Sequence, residues 1–354
     1  MISAELRFTI ECCRRAFCAG EGSTIGYLAG DLNWGLLLQL ARFHRVQGLV
    51  RRGIADACLT APSEVTELLS GDAKGIAVAN LRAIAECDAL LRAFESYGAE
   101  VVFLKGVTLG KLAYGNPALK AAADIDLLIA PENIQVATST LRGLGYHPEI
   151  PETTSDPVRL ASWHKSRKES LWASDGKELA IDLHTRVSDN AKLIPAIGVH
   201  SAQQVVDVSG TRLPTLADEE LFAYLCVHGA SSAWFRLKWI TDFAALIRSR
   251  KADEIERLYE RSQELGAYRA ADQALLLADA LYGSLEGTNL RERLLRDRLS
   301  RTLFEAARRQ VSIAEEPTGT KFGTWRIHWT QLLLKPGLGF KLNEASRQIR
   351  DAIF

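Results

Sequence analysis

Asp124-Ile125-Asp126-Leu127-Leu128-Ile129 and Leu179-Ala180-Ile181-Asp182-Leu183-His184 are the two stretches on which the fold reading turns. Each is a short apolar run with acidic residues at alternate positions, the pattern of a strand buried on one face. Side chains alternate across a strand, so Asp124 and Asp126 share a face while Ile125 and Leu127 point the other way; Asp182 likewise shares a face with His184, opposite Ile181 and Leu183. Idle carboxylates are expensive in such a setting. Two held side by side repel, and one is driven toward protonation unless a cation lies between them. A hard ion such as Mg2+ takes one or two carboxylates and fills its shell with waters and substrate phosphates. Asp124, Asp126 and Asp182 are therefore candidate metal ligands and catalytic residues, with room for two ions. Asp182 has an alternative role as the base for an acceptor hydroxyl, or as the partner of an Arg or Lys. The bland alternative for Asp124 and Asp126 is a solvated strand edge.

Upstream, Phe103-Leu104-Lys105-Gly106-Val107-Thr108 runs from a buried strand (Val101 to Leu104) into a short helix (about Val107 to Tyr114). Gly106 lets backbone N–H groups approach an anion at the helix start, and Lys105 and Thr108 offer side-chain contacts to phosphates. It is not a Walker A loop. Between the acidic strands lies Trp163-His164-Lys165-Ser166-Arg167-Lys168. This basic stretch makes Lys165 and Arg167 candidates for a triphosphate or acceptor contact, against the alternative of a solvated loop. A strand at Glu169-Ser170-Leu171-Trp172 and the turn residues Ser174-Asp175-Gly176 predict a hairpin into the Asp182 strand. His184 is a candidate nucleotide contact or an ordinary structural histidine.

On either side the period is helical. Asp31 is the expected cap of a helix carrying Leu36, Leu37, Leu40 and Phe43. Pro62-Ser63 opens a short helix, and a longer one from about Ala73 to Tyr97 is expected to bury a stripe of Leu81, Ile84, Leu91 and Phe94. From Pro214 onward the pattern reads as helices at Asp218–His228, Trp234–Arg248, Asp253–Glu264, Arg269–Leu281 and Leu290–Val311. The expected regions are an N-terminal helical region (1–98), an α/β core (99–212) and a C-terminal helical domain (213–354). His228, Trp234, Trp239 and Asp242 fit helix packing better than a binding site. The last residues, with Phe340, Leu342, Ile349 and Phe354 among basic side chains, suggest an amphipathic helix docked on the body.

The chain has 354 residues, with 43 Lys+Arg against 43 Asp+Glu. Zero net charge offers no global field to hold a polyanion, which disfavours long nucleic acid as a partner. No apolar run approaches the roughly 18 residues of a membrane span. The first residues lack the basic start and apolar stretch of a signal peptide. Six cysteines, at 12, 13, 18, 58, 87 and 226, form no metal-spaced set, as expected of thiols in a reducing cytoplasm.

Taken together, Leu104-Lys105-Gly106, Leu109, Tyr114, Pro117, Asp124 to Ile129 and Ile181 to His184 resemble a nucleotidyltransferase family of the polymerase-beta-like superfamily. Cys226-Val227-His228-Gly229 and Trp234 to Asp242 resemble that family's helical C-terminal half, so the likeness runs from about Ala79 to Leu246. The resemblance implies an α+β fold: a small mixed sheet flanked by N-terminal and C-terminal helices. It also implies Mg2+-dependent transfer of a nucleoside monophosphate from an NTP to an acceptor, with release of pyrophosphate. By position, Asp124 and Asp126 would bind both ions and Asp182 would complete the catalytic one, while Gly106 and its neighbours would hold the triphosphate. Where the family usually has Arg, four residues before the first aspartate, this chain has Lys120, which keeps the charge and loses the bidentate grip. The acceptor is open: a small molecule, a peptide or protein side chain, or an RNA end. A rival is a nucleotide-binding pseudoenzyme or regulatory module on the same fold.

Overall fold

The computed structural model describes residues 2–18, 30, 32–120, 122–152, 157–313 and 323–353. In chain order the elements begin with helices α1 (Ala4–Phe17), α2 (Trp34–Phe43), α3 (Gln47–Asp56) and α4 (Ser63–Ser96). The middle of the chain holds β1 (Val101–Phe103), α5 (Val107–Tyr114), β2 (Asp124–Ile129), α6 (Ile134–Gly143), β3 (His147–Ile150), α7 (Pro157–Ser166), β4 (Glu169–Ser174) and β5 (Lys177–His184). A hairpin of β6 (Gln203–Val208) and β7 (Thr211–Leu216) follows. The rest is helical: α8 (Asp218–Ser231), α9 (Leu237–Ile247), α10 (Ala252–Leu265), α11 (Arg269–Tyr282), α12 (Leu290–Arg296), α13 (Arg298–Val311), α14 (Gly323–Gln331) and α15 (Leu338–Ile353). The fold class is α+β, as expected. Among the described residues no helix is long and apolar enough to cross a membrane.

Two compact units divide the chain: 76–224, and 1–75 together with 225–354. The first carries the five-stranded sheet, ordered β1-β2-β5-β4-β3. β2 and β5 run parallel, and the other neighbours are antiparallel. Its core forms on the face of Ile125, Leu127, Ile129, Ile181 and Leu183, against Ile84, Cys87, Leu90 and Phe94 of α4 and Trp172 of β4. The alternation read from the sequence therefore holds, with apolar side chains on one face and the acidic set on the other. The hairpin β6–β7 joins this unit through the Thr215 hydroxyl, which donates to the Phe103 carbonyl at 2.7 Å.

Several details differ from the sequence expectation. α4 is one continuous helix from Ser63, so Pro62-Ser63 and Ala73–Tyr97 belong to a single element. Leu81 is exposed, and the buried stripe is Asn80, Ala83, Ile84, Cys87, Leu90 and Phe94. Asp31 lies outside the described residues. The cap of α2 is Asn33, whose side chain accepts from the Leu36 N–H at 3.0 Å. The helix expected from Asp218 begins there, while the hairpin of β6 and β7 before it has no counterpart in the sequence reading. The helix expected over Leu290–Val311 breaks at Asp297, whose side chain caps the second piece through the Leu299 N–H.

In the other unit α1 and α3 pack at a glycine: a Cβ at Gly53 would lie 2.2 Å from the Cys12 carbonyl oxygen, so no larger residue fits there. All six cysteines are free thiols, with Cys58 alone exposed. Trp234 is fully buried, and its Nε1 donates to Gln273 Oε1 at 3.1 Å. His228 meets Trp239 edge-on. Trp234 and Asp242 are buried, whereas His228 and Trp239 are partly exposed, and Trp234 lies in the turn before α9, which begins at Leu237 rather than Trp234. In the C-terminal helix Phe340 is buried while Leu342 and Ile349 are exposed, and Phe354 lies outside the described residues.

Candidate active site

The parallel pairing of β2 with β5 is in register at the acids: Asp126 stands beside Asp182, and Leu128 beside His184. Neighbouring residues in such a ladder point to the same face, so the two carboxylates converge. One ligand atom each from Asp126, Asp182 and His184 lies within 4.8 Å of the others. From the other side, β4 places Glu169 opposite His184 and Leu171 opposite Asp182. Glu169 thereby becomes a fourth acid on this face. His184 Nε2 is 3.2 Å from Asp126 Oδ1 and 3.2 Å from Glu169 Oε2. With carboxylate oxygens on both sides, Nε2 carries the proton; the buried Nδ1 has no hydrogen-bond partner.

Two lysines balance the acids. Lys105 Nζ lies 2.5 Å from Asp126 Oδ2 and 3.7 Å from Asp124 Oδ1. Lys168 Nζ lies 2.6 Å from Glu169 Oε2. Burial alone would raise the Asp126 carboxyl, but the Lys105 ammonium and the His184 hydrogen bond outweigh it and hold the group well below the usual carboxylate range. Burial opposes the charge of Lys105, and Asp126 and Asp124 overcome it, keeping the ammonium charged well beyond its ordinary range. Burial of Glu169 is likewise outweighed by His184 and Lys168, which lower its carboxyl. Asp182 goes the other way. Burial, then the charges of Asp126 and Glu169, push its carboxyl up to about 7.

The donors suit a divalent cation. Two adjacent hard oxygen ligands face each other with an imidazole beside them, and the elevated Asp182 marks where one more positive charge would be most welcome. Asp124 stands at the edge of this arrangement: it lies two residues before Asp126 in β2, its side chain is 35% exposed, and it faces Lys105.

The other residues picked from the sequence are placed as follows. Gly106 has φ +73° and caps α5, a conformation that costs other residues strain. Thr108 is fully buried and its hydroxyl donates to the Lys105 carbonyl at 3.1 Å. Lys120 is buried, and its carbonyl accepts from Asn80 Nδ2 at 2.8 Å. Lys165 is exposed at the end of α7, and Arg167 lies over the Trp163 ring at 5.4 Å. The structure thus brings Lys105, Asp124, Asp126, Asp182 and His184 together, while Thr108 serves the local turn.

Glu169 escaped the sequence reading as a member of this constellation, and Lys168 and His164 entered it only as parts of the basic stretch 163–168. For Glu169 the signal existed: with Trp172 and Ser170 facing inward, alternation along β4 sends Glu169 and Leu171 to the acidic face. His164 offered no such cue. It is held by Thr185 Oγ1 at 3.1 Å and Ser170 Oγ at 3.0 Å, and burial with nearby His184 and Arg186 lowers it to about 4, so it is a neutral brace.

No curated protein and no solved structure matches the chain. Residues 30–283, well over half of its length, match the uncharacterised nucleotidyltransferases and contain the whole acidic cluster. The chain belongs to that nucleotidyltransferase family.

Proposed function

We propose that the protein is a Mg2+-dependent nucleotidyltransferase that moves a nucleoside monophosphate from an NTP to an acceptor and releases pyrophosphate. The observation that carries this reading is the in-register placement of Asp126 beside Asp182, with the Asp182 carboxyl raised to about 7. Asp126 and Asp182, with Asp124 at the rim, would hold the ions, for which two positions are expected. When bound, Mg2+ supplies positive charge to the triphosphate and lowers the cost of ionising the acceptor oxygen.

The chain's own residues do the rest. Gly106 opens the start of α5 so that backbone N–H groups face the triphosphate, with Lys105 close by. Lys120, Lys165 and Arg167 are further candidates for contacts to the nucleotide or acceptor. In the reaction the acceptor oxygen bonds to the α-phosphorus, the bond from that phosphorus to the bridging oxygen breaks, and pyrophosphate leaves with that oxygen. Asp182 has an alternative role as the group that accepts the acceptor's proton, matched to pH 7 only while no ion is bound to it, because a cation on its oxygens would draw its carboxyl back down. His184, fixed by Asp126 and Glu169, keeps Asp126 oriented. The acceptor is a small molecule, a peptide or protein side chain, or an RNA end.

Incubation with each of the four NTPs, labelled at the α-phosphate, with Mg2+ and cell extract as the acceptor source, should release pyrophosphate and yield a labelled product. Asp126→Asn and Asp182→Asn should lower the rate at least about a hundredfold, the scale expected when the charge holding a catalytic ion is lost. Nucleotide that binds yet is never transferred to anything would instead mark a nucleotide-binding module without turnover.

A further inference from the structure

Lys105 is the side chain whose placement departs most from the sequence expectation. It was expected to reach for phosphate, but its ammonium is turned onto the acids. The side chain is 15% exposed, with Nζ 2.5 Å from Asp126 Oδ2 and 3.7 Å from Asp124 Oδ1. The other Asp126 oxygen, Oδ1, takes His184 Nε2 at 3.2 Å. Oδ1 is thus engaged by an N–H, while Oδ2 faces the ammonium as an ion pair rather than through a directed hydrogen bond. An ion bound to Asp126 Oδ2 at roughly 2.0–2.1 Å, the Mg2+ distance, would crowd the ammonium that lies 2.5 Å from the same oxygen. It would also sit against a like charge in a poorly screened site. Ion and ammonium exclude each other at that oxygen.

We propose that Lys105 is a built-in counter-ion of the candidate metal site. It holds Asp124 and Asp126 together when no divalent cation is bound, and it must release them for the cation to enter. The inference rests on the nucleotidyltransferase reading for the nature of the ligand. The lysine stem is flexible and its backbone is next to Gly106 at the start of α5. A released ammonium then stays within reach of the phosphates that arrive with the ion, where it finds a replacement anion. Free Mg2+ has to displace the lysine without compensation, whereas Mg2+ carried by a triphosphate brings the lysine's new partner with it. The site is in this way selective for the metal–triphosphate complex over the bare ion, and Lys105 is the residue that imposes the selection.

The test is calorimetric titration of Mn2+ and Mg2+ into the nucleotide-free protein, with thermal midpoints measured in chelator and in excess ion. Lys105→Gln should melt below wild type in chelator, yet bind the free ion at least about tenfold tighter, because a competing charge has gone. A lysine that merely braced the fold would lower the midpoint without improving ion binding. Equal or weaker ion binding by Lys105→Gln overturns the proposal while leaving the metal site standing. If neither protein binds the ion, the metal reading falls and the counter-ion proposal falls with it. Should Lys105→Gln fail to fold, the same comparison is made between Asp124→Asn and Lys105→Gln/Asp124→Asn, where one of the two neutralised acids is absent. There too, removal of the lysine should tighten ion binding.

Discussion

Asp182 and Asp126 are the same residue type on adjacent strands, and their surroundings drive them in opposite directions. Asp126 has Lys105 and His184 and stays ionised; Asp182 faces burial and two acids and titrates at about 7 instead of 3.8. The consequence for stability has a definite sign. Between those two values the folded, metal-free protein holds a proton on Asp182 that the unfolded chain has lost, so this contribution is fully present below about pH 4 and disappears as pH rises through 7. Asp126 and Glu169, held low, contribute the opposite slope and lose their stabilisation on acidification. Urea unfolding in chelator at pH 5 and pH 8 separates the terms. Relative to Asp182→Asn, wild type should lose on the order of 2 kcal/mol between the two, after allowance for partial exposure. A difference that does not change with pH would mean that Asp182 titrates normally. At this scale the sequence was informative about type and incomplete about company. Alternation around Ile125 and Ile181 identified Asp124, Asp126, Asp182 and His184 as residues of one face. Nothing in the local pattern distinguished Lys105 as a partner of acids from Lys105 as a phosphate contact, because that depends on how a lysine rotates in the folded site.

Elements were legible where their burial was one-sided. β5 shows that alternation, β2 is buried at every position after Asp124 and is marked by its apolar run, and α5 is bounded by Gly106 and Gly115, both with positive φ. β3 has no buried position to reveal it and carries Pro148 at the sheet edge. β6 and β7 are also weak in sequence: Val205 is exposed beside buried Val206, and β7 contains Pro214. The extent of α4 was hidden by surface apolar residues such as Leu81, which mimic a buried stripe. The parallel pairing of β2 with β5 could be guessed only as proximity, since register depends on contacts far apart in the chain. Trp172 is central to that register. It is fully buried, pairs with Ile181, and its Nε1 donates to Ser170 Oγ at 3.0 Å, the same hydroxyl that holds His164. Trp172→Ala should cost about 3–5 kcal/mol in urea unfolding, with the acidic face disturbed through β4. A loss below about 1 kcal/mol, within the range of an ordinary surface change, would show that the packing of β4 is not what aligns the acids.

Across the whole molecule the match to the nucleotidyltransferase family spans 30–283 and so includes the sheet and much of the helical sequence on both sides. The balance of 43 basic and 43 acidic residues makes the charge of the site a local matter, built from a few acids and two lysines rather than from a field around the protein. That organisation favours a compact, highly charged ligand such as a metal-bound triphosphate over an extended polyanion. The central claim is that Asp126 and Asp182 hold a divalent ion for nucleotidyl transfer. Its most direct test is anomalous diffraction from a crystal soaked with Mn2+ and a non-hydrolysable NTP analogue. The predicted result is a peak bonded to both carboxylates, with Lys105 turned away from Asp126 toward the phosphates. Nucleotide in place with no peak between those two residues, or with the ion held elsewhere, would contradict it.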